Sequence, residues 1–224
     1  MFREKSMVVL KNEEAWFLPQ ENKNGLSVRS PKHLHKYDSF EFYVDVEPSW
    51  EQVESHTEQA LVCMNGKHLG IFIKRENEKY YVQSGLWSKN GNDEKATICI
   101  FELSKYEKEQ YKRLRLNYLV DTKNNKVKLT IKGKGFKKVI EKKFDGELVS
   151  DYEYSFIWLG AGNAFESCAP EYRLHYTGKV NGFKVWKNKE LIFKSSFMLG
   201  TLFKFFDESD SGNHLLKYSR DWFE

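Results

Sequence analysis

Long hydrophobic runs are missing from this chain. No stretch approaches the roughly 18 apolar residues that read as a membrane-spanning helix, and Met7–Leu10 is too short for the core of a secretory leader. Proline and glycine are scarce, four and 14 in 224 residues, which excludes collagen-like and low-complexity chains. Cysteine is scarcer still. Cys63, Cys99 and Cys168 are an odd, widely spaced set without a CxxC pair, so neither a disulfide scaffold nor a zinc site is indicated. Three buried, reduced thiols are the expectation, and with them a reducing, cytoplasmic location. Neither sign of charge dominates. The formal net charge is +4 with 30% charged residues, so composition implies no polyanion, and nucleic acid is not an expected partner. No repeat of fixed period occurs. Strands do not alternate with amphipathic helices, which argues against a parallel α/β sheet. No catalytic signature is present.

Aromatic residues are abundant, at 16%, and they suit a pleated, half-buried surface. Phe40–Glu47 alternates with period two, placing Phe40, Phe42, Val44 and Val46 on one face and Glu41, Tyr43, Asp45 and Glu47 on the other. Ala60–Met64 and Leu69–Lys74 flank Asn65-Gly66, a strong hairpin signal. Lys79–Val82 follows a turn at Glu76–Glu78, Gly85–Trp87 ends that strand, and Ala96–Phe101 is the next. Ser104–Tyr111 reads as one helical turn capped by Ser104, with Glu107 at the box position. Arg113–Asp121, Val127–Lys132 and Phe136–Phe144 alternate around polar turns, and Ser155–Leu159, Tyr172–Tyr176, Val180–Trp186 and Leu191–Phe193 continue the series. Short strands with turn chemistry every ten residues or so give an all-β chain, an antiparallel two-sheet sandwich. Residues 1–206 are expected to form one domain, and 207–224 a C-terminal tail or linker.

The order of these elements resembles a known family. Arg115-Leu-Asn-Tyr-Leu-Val-Asp121, a turn, and Lys126-Val-Lys-Leu-Thr-Ile-Lys-Gly133 resemble a hairpin of concanavalin A-like jelly rolls. Ile157-Trp-Leu-Gly-Ala-Gly-Asn163 is similar to that family's "L-x-I-G" strand, and Tyr176-Thr-Gly-Lys-Val-Asn-Gly-Phe-Lys-Val-Trp186 to its closing strand. Phe40–Val46 takes the place of the early core strand. The likeness spans roughly Phe40–Leu191. It departs at Lys132-Gly133, where Asn-Gly is usual, and at Val180-Asn181, where Ile-Asp is frequent. It implies a jelly roll of the kind found in lectins, laminin-G-like modules, carbohydrate-binding modules and glucanases, with an oligosaccharide or polysaccharide as ligand. Calcium, which some of these sandwiches hold in Asp- and Asn-rich loops, is a possible cofactor at Asn90–Asp93 or Asp207–Asp210.

A pyranose stacks its C–H face on a flat ring and needs planar polar partners for its hydroxyls. Trp87, at a strand end beside a polar loop, is the leading candidate, with Tyr81 and Trp50 also near loops. Asn163, Glu166 and Arg173 are the polar candidates. Glycan-cleaving members of the family carry Glu-x-Asp-x-Glu along one strand face. The nearest pattern here is Tyr43-Val-Asp45-Val-Glu47, which lacks the first carboxylate, and no catalytic residue is assigned. His33 and His35, near Asp38, are read as a solvated loop rather than a metal site. Lysines crowd residues 123–143, where a solvated outer sheet face is expected over a polyanion patch. The expected function is therefore a non-catalytic, lectin-like carbohydrate-binding domain. It would be an accessory module of a larger glycan-handling protein, such as a bacterial polysaccharide-processing protein, with a neighbouring domain of the same polypeptide as a further partner. A protein-interaction module and an atypical glycoside hydrolase are the alternatives.

Overall fold

Period-two alternation dictates sheets with one buried face, and two such sheets can bury those faces only against each other. The computed structural model describes residues 8–11, 14–17, 27–29, 34–35, 38–53, 57–64, 69–149, 154–155, 157–163, 173–196, 204–205 and 215–218. In chain order the first strands are β1 (Val8–Lys11), β2 (Glu14–Phe17), β3 (Ser27–Arg29), β4 (Leu34–His35), β5 (Phe40–Pro48), β6 (Thr57–Met64), β7 (Leu69–Glu76), β8 (Lys79–Asn90) and β9 (Asp93–Glu102). A single helical turn, α1 (Lys108–Tyr111), precedes β10 (Leu114–Asp121), β11 (Lys126–Gly133), β12 (Phe136–Lys143) and β13 (Glu147–Leu148). The last strands are β14 (Tyr154–Ser155), β15 (Ile157–Leu159), β16 (Ala161–Asn163), β17 (Arg173–His175), β18 (Gly178–Lys187), β19 (Glu190–Ser195), β20 (Lys204–Phe205) and β21 (Leu215–Tyr218).

Among the described residues, one sheet has the order β1-β2-β18-β5-β10-β11-β12, with β19 also on β18. The other runs β13-β8-β7-β6-β15-β3-β21-β20, with β9 on the free side of β8. Neighbouring strands are antiparallel. The two sheets form an antiparallel jelly-roll sandwich, as expected. Leu215–Tyr218, in the segment read as a tail, pairs with β3.

Alternation sets which side chains meet between the layers. Phe40, Phe42, Val44 and Val46 of β5 are buried, as are Leu114, Leu116, Tyr118 and Val120 of β10 and Val127, Leu129 and Ile131 of β11. Facing them are Leu69, Ile71, Ile73, Val82, Leu86, Cys99, Ile157 and Leu159. Each fully buried side chain of this size contributes about 1.5–3 kcal/mol, so these rows fix the register. Cys63 and Cys99 are buried, as expected, whereas Cys168 lies outside the described residues.

Several boundaries differ from those read in the sequence. The β8 strand does not end at Trp87. It runs to Asn90 and turns directly into β9 through Gly91 (φ +62°) and Asn92, so the supposed loop is a tight hairpin turn. The helical turn starts three residues later than expected. Glu107, not Ser104, caps it, and Gln110 closes the box by accepting from the Glu107 N–H. The Ser104 hydroxyl instead accepts from the Tyr80 N–H at 2.9 Å. Ser155–Leu159 is not one strand: β14 pairs with β4, and β15 lies between β6 and β3.

Candidate functional site

The outward face of β6–β9 carries the sequence's leading candidate. Register places Glu58, Ala60 and Cys63 of β6, Gly70, Phe72 and Lys74 of β7, Tyr81, Gln83, Gly85 and Trp87 of β8, and Ala96, Ile98 and Ile100 of β9 on this one side. Gly70 and Gly85 oppose each other, and the Phe72 ring lies over Gly70, where a Cβ would come within 2.7 Å of it. Ala60, Cys63 and Phe72 are themselves buried, and Trp87 packs against them. The β16–β17 pair packs on β6.

Trp87 stands at the border of this covered patch. Its ring is half-buried, and its Nε1–H is buried without a partner. On its other side the face is open: Ile98 is half-buried and Ile100 is 47% exposed. Tyr81, half-buried, lies on the same face of β8, six residues or about 20 Å from Trp87 along the strand. Polar partners border the strip. Gln83 donates to Glu58 Oε1 at 3.3 Å, and Lys79 pairs with Glu102 at 3.4 Å.

The other candidates are placed elsewhere. Trp50 is 4% exposed, packed against Tyr80 and Tyr111, and its indole N–H donates to the Tyr111 carbonyl. Asn163 and Arg173 are directly paired across β16 and β17, while Glu166 lies outside the described residues. Asn90–Asp93 forms the β8–β9 turn. Among the described residues no group of three or more His, Cys, Asp or Glu is arranged to hold a metal; Asp207–Asp210 lies outside them. His35 sits on β4 beside Tyr154, and His33 is outside the described residues.

Asp45 and Glu47 do share the outer face of the opposite sheet, but both are engaged. Arg113 grips both Asp45 oxygens at 2.8 and 2.9 Å, and Arg115 adds a contact at 3.2 Å. Glu47 accepts from Asn181 at 3.2 Å and lies 3.9 Å from the Lys179 ammonium. The hydrogen bond from Arg113 to Asp45 raises that guanidinium further above its ordinary value. Beside this cluster is a feature that the sequence did not point to: a cleft of about 400 Å³ lined by Glu47, Glu109, Lys112, Arg113, Arg115, Lys132, Gly133 and Lys134. Its walls come from three separate stretches of chain, Glu47, Glu109–Arg115 and Lys132–Lys134, so no local motif announces it.

Solved structures similar to this chain include the native heptameric SAP-like pentraxin from Limulus polyphemus, at 11% identity and TM-score 0.49, covering 79% of this chain and 75% of that one. The Ruminococcus gnavus IT-sialidase CBM40 bound to alpha2,3 sialyllactose is similar at 11% identity and TM-score 0.46, with 83% and 94% covered. A legume lectin-like domain from Entamoeba histolytica gives 11% and 0.44, with 81% and 87% covered. The fold of this chain is an antiparallel two-sheet jelly-roll sandwich. No family model and no curated protein matches the chain. Among the described residues, no helix of this jelly roll is long and apolar enough to cross a membrane.

Proposed function

We propose that this jelly roll is a non-catalytic carbohydrate-binding domain, and that the open flank of the β6–β9 face is where a saccharide lies. The observation that carries the reading is the half-buried Trp87, held against Ala60, Cys63 and Phe72 on the face that also carries Ile98 and Ile100. A rigid, pre-packed ring offers a sugar's C–H face a surface at little entropic cost. The Gln83–Glu58 pair and Tyr81 supply hydroxyl partners along the strand, and Asn163, Glu166 and Arg173 are further candidate partners. The binding role is non-catalytic because Asp45 and Glu47, the carboxylates nearest a glycosidase pattern, are occupied by Arg113, Arg115, Asn181 and Lys179. Such a domain serves as an accessory module of a larger glycan-handling protein.

Calorimetry against a panel of neutral oligosaccharides tests this. Binding should appear for at least one sugar, and Trp87→Ala should weaken it by about 2 kcal/mol, roughly thirtyfold, as loss of a central aromatic anchor does. Silence across the panel, or binding indifferent to Trp87→Ala, would remove the reading.

A further inference from the structure

The cleft beside Asp45 has a composition that the Trp87 face lacks. Five cations, Lys112, Arg113, Arg115, Lys132 and Lys134, converge on it against two carboxylates, Glu47 and Glu109. Cations crowded together repel one another, and a fold keeps them so at a cost unless something anionic joins them. Asp45, 6% exposed, answers only part of that charge. Its two oxygens take up the Nε and one terminal nitrogen of Arg113 and the Nε of Arg115. Among the described residues, neither terminal nitrogen of Arg115 has a hydrogen-bond partner, and its side chain is 56% exposed. Among the same residues, Lys112, Lys132 and Lys134 have no ion-pair partner. The buried carboxylate therefore acts as a clamp. It fixes two planar guanidinium forks in place and leaves donor groups to spare, an arrangement suited to carboxylate, sulfate or phosphate oxygens.

The shape is equally fixed. Lys134 donates its backbone N–H to the Gln110 carbonyl at 2.7 Å, which ties α1 to the β11–β12 turn and closes one wall. A volume of about 400 Å³ lies within the usual range for small-ligand sites, roughly 300–1,000 Å³.

We infer that this cleft is an anion site for an acidic saccharide unit, one carrying a carboxylate or a sulfate. The cations hold the anionic group, and Glu109, which has no ion-pair partner among the described residues, accepts hydrogen bonds from the ring hydroxyls. A nucleic acid is the poorer fit. No aromatic side chain lines the cleft to stack a base, and the two carboxylates would oppose a continuous phosphate backbone. The site is separate from Trp87: it lies on the outer face of the opposite sheet.

The test uses the full chain and four probes: a heparin-derived tetrasaccharide, tetragalacturonate, a neutral maltotetraose and single-stranded oligo-dT. Affinity is measured by calorimetry at low and high salt. One or both acidic sugars should bind at low salt and weaken at high salt, as partly exposed ion pairs do. Lys132→Ala with Lys134→Ala should weaken acidic-sugar binding at least about tenfold. Lys126→Ala with Lys143→Ala, the same charge change on the same face outside the cleft, should change it less than about twofold. Trp87→Ala should leave it intact, which separates failure here from failure of the Trp87 site. Binding of the sulfated probe alone, or of the uronate alone, identifies the anionic group and supports the site. Three results would overturn it: no binding of either acidic sugar, equal losses in the two double variants, or oligo-dT binding tighter than both sugars.

Discussion

Tyr118 shows how much one side chain can carry. It is fully buried on β10, and its hydroxyl and that of Ser84, from the facing sheet, lack hydrogen-bond partners of good geometry. Burial pushes the Tyr118 phenol well above its ordinary value, with Cys99 nearby adding to the effect and Ser84 opposing it. An unsatisfied buried hydroxyl costs about 1–3 kcal/mol. Tyr118→Phe removes it while keeping the ring, so urea denaturation should show the variant at least as stable as the parent, by up to about 1 kcal/mol. A clear loss of stability would mean that the hydroxyl is paired after all. The sequence suggests that Trp87 stands at a strand end beside a loop, whereas the residue lies within β8 on the outer face of the sheet. It did not foretell that Trp50 would be sealed under Tyr80 and Tyr111, because a Trp in a loop and a Trp in a core look alike until the loop is folded inward. The pairing of Asp45 with Arg113 was equally hidden, since the partners are 68 positions apart.

At the scale of elements, alternation gave reliable strands wherever it persisted, as in β5, β10 and β11. It gave poor ends where glycine and asparagine interrupted a strand without breaking it. Gly85 suggests a stop in sequence, yet in the ladder it sits opposite Gly70 and the strand passes through. The expected Ser104 cap failed because two overlapping boxes, Ser104–Glu107 and Glu107–Gln110, compete, and the Tyr80 N–H claims Ser104. The lysine-rich hairpin behaves largely as alternation requires. Lys126, Lys128, Lys132, Lys137 and Lys143 stand on its outer face, and β12 is the edge strand. Its turn is less forgiving than its surface. A Cβ on Gly133 would lie 2.3 Å from the Gln110 carbonyl and 2.2 Å from the Phe136 ring. Gly133→Ala must therefore push α1 off the turn. Thermal or urea unfolding should show a loss above about 2 kcal/mol, a size associated with backbone or packing strain, together with weakened acidic-sugar binding at the adjacent cleft. An unchanged midpoint would show that α1 is not docked as described.

At the scale of the whole molecule, the two sheets bury their inner faces against each other and leave two outer faces of opposite character. The β6–β9 face is apolar, with rings and branched aliphatic side chains around Trp87. The β5–β12 face is ionic, with Asp45 beside a basic cleft. The fold class could be read from period-two alternation because burial is a one-dimensional pattern along a strand. The cleft could not, because it is assembled from β5, α1, β10, β11 and a turn that meet only after folding. The central claim, that the apolar face binds saccharide through Trp87, has a direct spectroscopic test. The chain has six tryptophans, and their indole N–H signals can be followed one by one in an ¹⁵N-labelled sample as a pooled set of neutral and acidic tetrasaccharides is added. The account predicts that the Trp87 indole signal, assigned by its absence in Trp87→Phe, shifts saturably, while that of Trp50, locked to the Tyr111 carbonyl, stays in place. A Trp87 signal that does not move through the titration would contradict it.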